Sequence, residues 1–198
     1  MRVDKVILKA FISTFSAIVL LFAFMFGALA LVFPSTMMYV CYDFGGDKTS
    51  IRYAERAYSW FDDTYYMAYA MEVAIGSDNQ EKIEECGLRV VADEPYFAQY
   101  CADKGADMPT AYEDFIYGKI AVAKYEQGKK EESVNYAFDT LQGGFPTDNA
   151  AVAVLYAAAS KGDRATMDMI KGKMEQQQAS IADGDRAYFD RVLALISE

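Results

Sequence analysis

The side chains able to do chemistry in this chain are few and poorly grouped for it. None of its 198 residues is a histidine. That removes Ser-His-Asp and Cys-His nucleophilic catalysis, imidazole metal sites and the usual proton shuttle near neutral pH. Three cysteines, Cys41, Cys86 and Cys101, are too few and too scattered for a disulfide framework or a CxxC redox pair. They read as small buried apolar side chains, with a Cys86–Cys101 bond left open if the body lies outside the cytoplasm. Asp62 and Asp63 put two carboxylates side by side, but at a predicted helix start, where carboxylates satisfy free N–H groups. Asp183-Gly184-Asp185 opens like a calcium loop, yet Ala187 and Tyr188 stand where that loop needs a ligand and a glycine. Lys129-Lys130-Glu131-Glu132 reads as a solvated turn at a helix start. No Gly-rich phosphate loop, HExxH or GxSxG motif occurs. The expectation is a protein that is not an enzyme and that uses no metal or cofactor.

Recognition is better supplied than catalysis. All 15 tyrosines follow residue 33, and 13 of them lie between Tyr39 and Tyr136. Tyr65, Tyr66 and Tyr69 fall on one predicted helix, with Trp60 and Phe61 just before it. Tyrosine offers a large contact area and a hydroxyl at low entropic cost. Trp60, Tyr65, Tyr66 and Tyr69 are therefore the candidate partner-binding residues. The alternative is that these rings fill gaps between stacked helices. Trp60, on the hairpin nearest the apolar N-terminal stretch, is also suited to a lipid interface.

That N-terminal stretch sets the layout. Ala10 to Phe33 is 24 residues without a charge. As a helix it is about 36 Å long, enough to cross a hydrocarbon core of about 30 Å. Residues 1–9 carry Arg2, Lys5 and Lys9 against Asp4, and the charges from Asp43 to Arg56 cancel. The positive flank predicts a cytoplasmic N-terminus and an extracytoplasmic body. Two readings stand: a signal anchor retained in the cell membrane, favoured by length, or a secretory signal cut after Ala28-Leu29-Ala30. The whole chain carries a net charge of −10, concentrated in the body. Such a body repels phosphate backbones, so no nucleic-acid partner is expected. With apolar residues at 53% and aromatics at 15%, the body is expected to fold rather than stay disordered.

After Pro34 the sequence alternates helical runs with short breaks. The 3.6-residue pattern and the turn signals predict helices over 36–44, 48–60, 63–75, 79–92, 95–103, 110–127, 130–142, 148–161, 163–177 and 184–197. Ser35 or Thr36 is the expected cap of the first, and Thr110-x-x-Glu113 beside Pro109 is an expected capping box. Asp93-Glu94 before Pro95, and Pro146-Thr147-Asp148, mark two further starts. Gly45-Gly46, Gly76, Gly128 and Gly162 fall where helices should end.

Gly128 and Gly162 are 34 residues apart. After Gly128 come Ser133, Val134, Ala137 and Leu141; after Gly45 come Ser50, Ile51, Ala54 and Tyr58 at matching offsets, with Ala57 beside them. This resembles the tetratricopeptide repeat, whose turn glycine reverses the chain and whose small residues let its second helix pack closely on the first. The Gly162 unit keeps the spacing with bulky Met167 at a small position, and SDNQEKIEECGLRVV matches loosely. Gly45, Ser50, Ala54, Ala57, Gly128, Ser133, Ala137 and Gly162 are the residues assigned to repeat packing. With the flank 1–9 and transmembrane helix 10–33 read from charge and length, the resemblance implies an all-α protein whose residues 34–198 form a tetratricopeptide-like α-solenoid closed by a C-terminal capping helix. It also implies a scaffold that binds a protein or extended peptide beside the bilayer, similar in layout to bacterial single-pass tetratricopeptide factors of secretion or envelope complexes. A self-associating structural subunit, forming a homo-oligomer, is the second expectation.

Overall fold

The computed structural model describes residues 2–140, 150–177, 186–188, 190–192 and 194. Among these residues every regular element is a helix. Their contacts divide the chain into two compact units, Met1–Tyr66 and Met67–Glu198.

In the first unit α1 spans Arg2–Val32, α2 Pro34–Asp43 and α3 Asp47–Phe61. The stretch Val6–Val32 of α1 is long and apolar enough to cross a membrane, and none of it is buried in the fold. Length and composition of this kind suit a membrane-spanning helix or a signal sequence. The helix starts earlier than expected: flank 2–9 continues the same helix as the apolar run. Pro34 occupies the first turn of α2, with Phe33 as its N-cap and no side-chain cap bond, so neither Ser35 nor Thr36 caps it. The reason is steric. Proline's fixed φ and missing N–H suit the first helical position, where the amide has no intrahelical partner. The expected capping box at Thr110 fails identically: Pro109 takes the first turn of α7, Met108 is the N-cap, and Thr110 lies inside the helix. α2 and α3 pack on one another, with Met37, Met38, Ser50, Ile51, Ala54 and Ala57 buried.

The second unit holds most of α4 (Tyr65–Gly76), then α5 (Gln80–Ala92), α6 (Glu94–Gly105), α7 (Pro109–Glu126), α8 (Lys130–Asp139), α9 (Ala150–Ser160) and α10 (Arg164–Gln177). Asp93 caps α6 by accepting the Tyr96 N–H, as its place before Pro95 predicts. α7 is the hub and packs on α5, α6, α8 and α9. Its Ile116 and Ile120 are fully buried, each contributing about 1.5–3 kcal/mol of apolar burial. The expected helix 184–197 lies partly outside the described residues. The described part is helical, and Val192 and Tyr188 pack on the core formed by α7 to α10. The expected start at Pro146–Asp148 also lies outside them.

One turn recurs four times. Gly45, Asp78, Gly128 and Gly162 each take a left-handed φ, of 72°, 54°, 81° and 64°. In each, the N–H of that residue donates to the carbonyl three residues back, and the next N–H donates five residues back. This is the Schellman end of a helix followed at once by another helix. It builds the α2–α3, α4–α5, α7–α8 and α9–α10 hairpins. Glycine adopts the left-handed conformation without strain, and aspartate tolerates it better than most residues. Gly76 ends α4, as expected, and the left-handed turn that follows is made by Asp78.

Candidate functional site

The second unit carries an open groove of about 500 Å³ between α7 and α9. Its floor exists because two small residues meet. A Cβ placed on Gly118 would lie 3.3 Å from the Ala153 Cβ, tighter than an ordinary contact, so glycine lets the two helices approach closely there. Ala111, Phe115, Val122, Val152 and Tyr156 supply apolar walls, and Asp114 and Lys119 supply charge. Phe115 is 42% exposed and Tyr156 69% exposed. The Phe115 ring packs on Tyr112 at 5.6 Å between centroids, and the Lys119 ammonium lies 5.3 Å from its centre. Such a lining is suited to apolar side chains, with Lys119 placed for one anionic or carbonyl group. It presents no thiol and no carboxylate pair for group transfer.

A second constellation runs along the hairpin turns of the same unit. Glu84 on α5 is the single buried acid among the described residues. It accepts hydrogen bonds from Lys124 at 2.8 Å, Lys129 at 2.7 Å and Gln127 at 2.7 Å. Burial alone would raise its pKa; the two ammonium groups and the amide outweigh this and hold the carboxyl below its ordinary value. Asp163, at the α9–α10 turn, is paired with Lys130 at 2.7 Å and accepts from Tyr125 at 3.1 Å and Thr166 at 2.8 Å. The hydrogen bond from Lys130, then that from Thr166, keeps its carboxyl well below the usual range. Lys161 pairs with Glu126. Residues 129–132 form the solvent-exposed turn at the start of α8 that the sequence predicts, and Lys129 and Lys130 in addition tie the α7–α8 hairpin to α5 on one side and to the α9–α10 turn on the other.

The residues singled out from sequence fall as follows. Trp60 is at the end of α3, exposed, with the Arg56 guanidinium 4.8 Å from its ring. Tyr65 and Tyr66 begin α4; their rings meet at 5.5 Å, and Tyr66 also packs on Phe61 at 5.8 Å. The Tyr65 hydroxyl is hydrogen-bonded to that of Tyr39. Tyr69 lies one turn further along α4, half-buried, in the second unit. Asp63 does bind a free helix N–H, that of Tyr65 at 2.9 Å, whereas Asp62 ends α3 in a left-handed conformation. Asp183 and Asp185 lie outside the described residues. Cys86 and Cys101 are fully buried thiols on α5 and α6 that are not joined in a disulfide, and burial first, then the charge of Glu113, pushes Cys101 up to about 12. No group of three or more His, Cys, Asp or Glu residues suited to a metal ion occurs among the described residues.

The eight repeat-packing residues have common local settings. Ser50, Ala54, Ala57, Ser133 and Ala137 are fully buried. The Ser50 hydroxyl donates to the Met38 carbonyl and the Ser133 hydroxyl to the Ala121 carbonyl, each at 2.7 Å and each twelve residues back. Gly45, Gly128 and Gly162 make the turns. The α4–α5 hairpin has its small residue too. Gly87 follows Asp78 by the same nine residues that separate Ala54 from Gly45, and a Cβ there would lie 2.7 Å from the Ile120 Cγ1. Aspartate's tolerance of the left-handed turn, followed nine residues on by glycine, is the signal that places this unit.

Sequence reasoning missed Phe115, Lys119 and Tyr156. The available signal was Ala111, Phe115, Gly118 and Val122 on one face of α7, with a glycine marking close approach. No protein-family model, no curated protein and no solved structure matches the chain.

Proposed function

We propose that this chain is a membrane-anchored scaffold that binds an extended segment of another protein. In this reading α1 stays in the membrane with the N-terminus cytoplasmic, and the hairpins of the second unit stack as a tetratricopeptide-like solenoid outside the cytoplasm. The observation that carries the reading is the α7–α9 groove, because these are the first helices of two successive hairpins, and such arrays bind along that row of helices. The segment bound would offer apolar side chains to Phe115 and Tyr156 and an acidic or carbonyl group to Lys119. The acidic body favours an otherwise basic partner. An ancillary role beside a secretion or envelope complex follows from the anchor's position.

The test is a photo-crosslinking residue at Tyr156 in native membranes, with the adducts identified by mass spectrometry. The expected result is an adduct with a different protein that is lost when Phe115→Glu places a charge in the groove. Adducts with second copies of this chain alone would replace the proposal with self-association. Adducts indifferent to Phe115→Glu would remove the groove from the account.

A further inference from the structure

We propose that the membrane-proximal end of the α2–α3 hairpin is a lipid-contact edge, on which Phe33, Trp60 and Phe61 sit in the zwitterionic headgroup layer of the bilayer that α1 crosses. This rests on α1 being a retained anchor and is independent of the α7–α9 groove.

The placement follows from chain geometry within the first unit. α1 ends at Val32 and α2 begins at Pro34, so no slack separates the membrane run from the hairpin. The Phe33 N–H donates to the Leu29 carbonyl at 2.8 Å, and the Met37 N–H donates to the Phe33 carbonyl at 3.1 Å, which ties the junction on both sides. The hairpin turns at Gly45-Gly46, at its far end, and α3 then runs back. α2 has 10 residues and α3 has 15. At 1.5 Å per residue these are about 15 Å and about 22 Å, so the last residues of α3 return to the level of the Pro34 junction or beyond it. Trp60 and Phe61 are those residues.

The exposure and chemistry of this end suit an interface. Phe33, Trp60 and Phe61 are 51%, 48% and 55% exposed, so each leaves about half of an apolar aromatic side chain uncovered. Tryptophan and phenylalanine at this depth bury their rings beside the acyl carbonyls. Arg56 stacks on the Trp60 ring and brings a guanidinium to phosphate level. Arg52 and Arg56 on α3 stand against Glu55, Asp62 and Asp63, so the edge carries no excess of positive charge to drive it onto an anionic surface. Tyr66 packs behind Phe61 and fixes the edge against the start of α4.

Trp60 is the one tryptophan in the chain, so its emission reports this edge without any label. The experiment reconstitutes the full chain in phosphatidylcholine vesicles, with and without bromine near the top of the acyl chains. The expected result is blue-shifted emission that is lost to the brominated lipid and spared by iodide in the water. Phe44, at the far turn and 86% exposed, supplies the comparison. In a Trp60→Phe, Phe44→Trp chain the sole reporter should instead be quenched by iodide and spared by the brominated lipid. A chain that floats with the vesicles while Trp60 stays iodide-accessible overturns the edge but leaves the anchor standing. Bromine quenching of the Phe44→Trp reporter equal to that of Trp60 also overturns it, because the hairpin would then lie flat. A chain that fails to float overturns the anchor and the edge together.

Discussion

The α2–α3 and α7–α8 hairpins share their local construction and differ in what surrounds them. Both reverse at a left-handed glycine, Gly45 or Gly128. Both bury a serine hydroxyl that donates at 2.7 Å to a carbonyl twelve residues back. Both bury an alanine nine residues after the glycine, Ala54 or Ala137. Around α7–α8, however, Lys124, Lys129 and Lys130 reach across to Glu84 and Asp163 on neighbouring elements. The α2–α3 hairpin instead turns Phe44, Trp60 and Phe61 outward. A hairpin is therefore closed by bonds it makes with itself, whereas its place beside other hairpins is set by charges and small residues that point away from it.

The comparison breaks most sharply at Glu84. Glu84→Gln leaves the Lys124 ammonium buried without its carboxylate, and the expected loss is about 3–5 kcal/mol in urea unfolding followed by circular dichroism. The pH dependence has a definite sign. The folded carboxyl titrates below its unfolded value of about 4.3, so its stabilisation is complete above that pH and is lost as the pH falls through the folded value. The stability gap between the parent chain and Glu84→Gln should narrow in acid. A gap that stays constant from neutral pH down to pH about 3 would remove the ion pairs from the account.

A smaller effect tests the shared turn. Nothing lies within 4 Å of a Cβ at Gly45 or Gly128, so alanine at either meets only the backbone penalty of the left-handed region. Gly45→Ala and Gly128→Ala should each cost about 1–2 kcal/mol. Equal costs by thermal denaturation would sharpen the equivalence of the hairpins; a cost at only one would break it. The smallest effect is at the buried hydroxyls. Ser50→Ala and Ser133→Ala each remove one hydrogen bond and should cost about 0.5–1.5 kcal/mol. A clearly larger loss at Ser133 would show that the ion-paired surroundings, and not the serine alone, hold that hairpin.

The helices were legible because their signals are short-range. Expected and observed boundaries agree within about three residues for α2 through α10, where both are described. Errors came where one local rule overrode another, as when Pro34 and Pro109 took the first turn and left Ser35, Thr36 and Thr110 without a capping role. The turn at Asp78 was harder to read because aspartate there does what glycine does elsewhere. The groove was legible only as one face of α7, not as a pairing with α9. Phe115 and Tyr156 become neighbours only through the meeting of Gly118 and Ala153, and neither small residue announces its partner.

From sequence alone this protein is a long apolar N-terminal helix followed by helical hairpins, because helix periodicity, caps and left-handed turns depend on residues within about one turn of each other. Tertiary structure decided the rest. Glu84 meets Lys124 and Lys129 across 40 and 45 residues, a pairing that no local spacing encodes. Through-space distance, not position along the chain, sets which charge a carboxylate feels and where two helices leave a groove open.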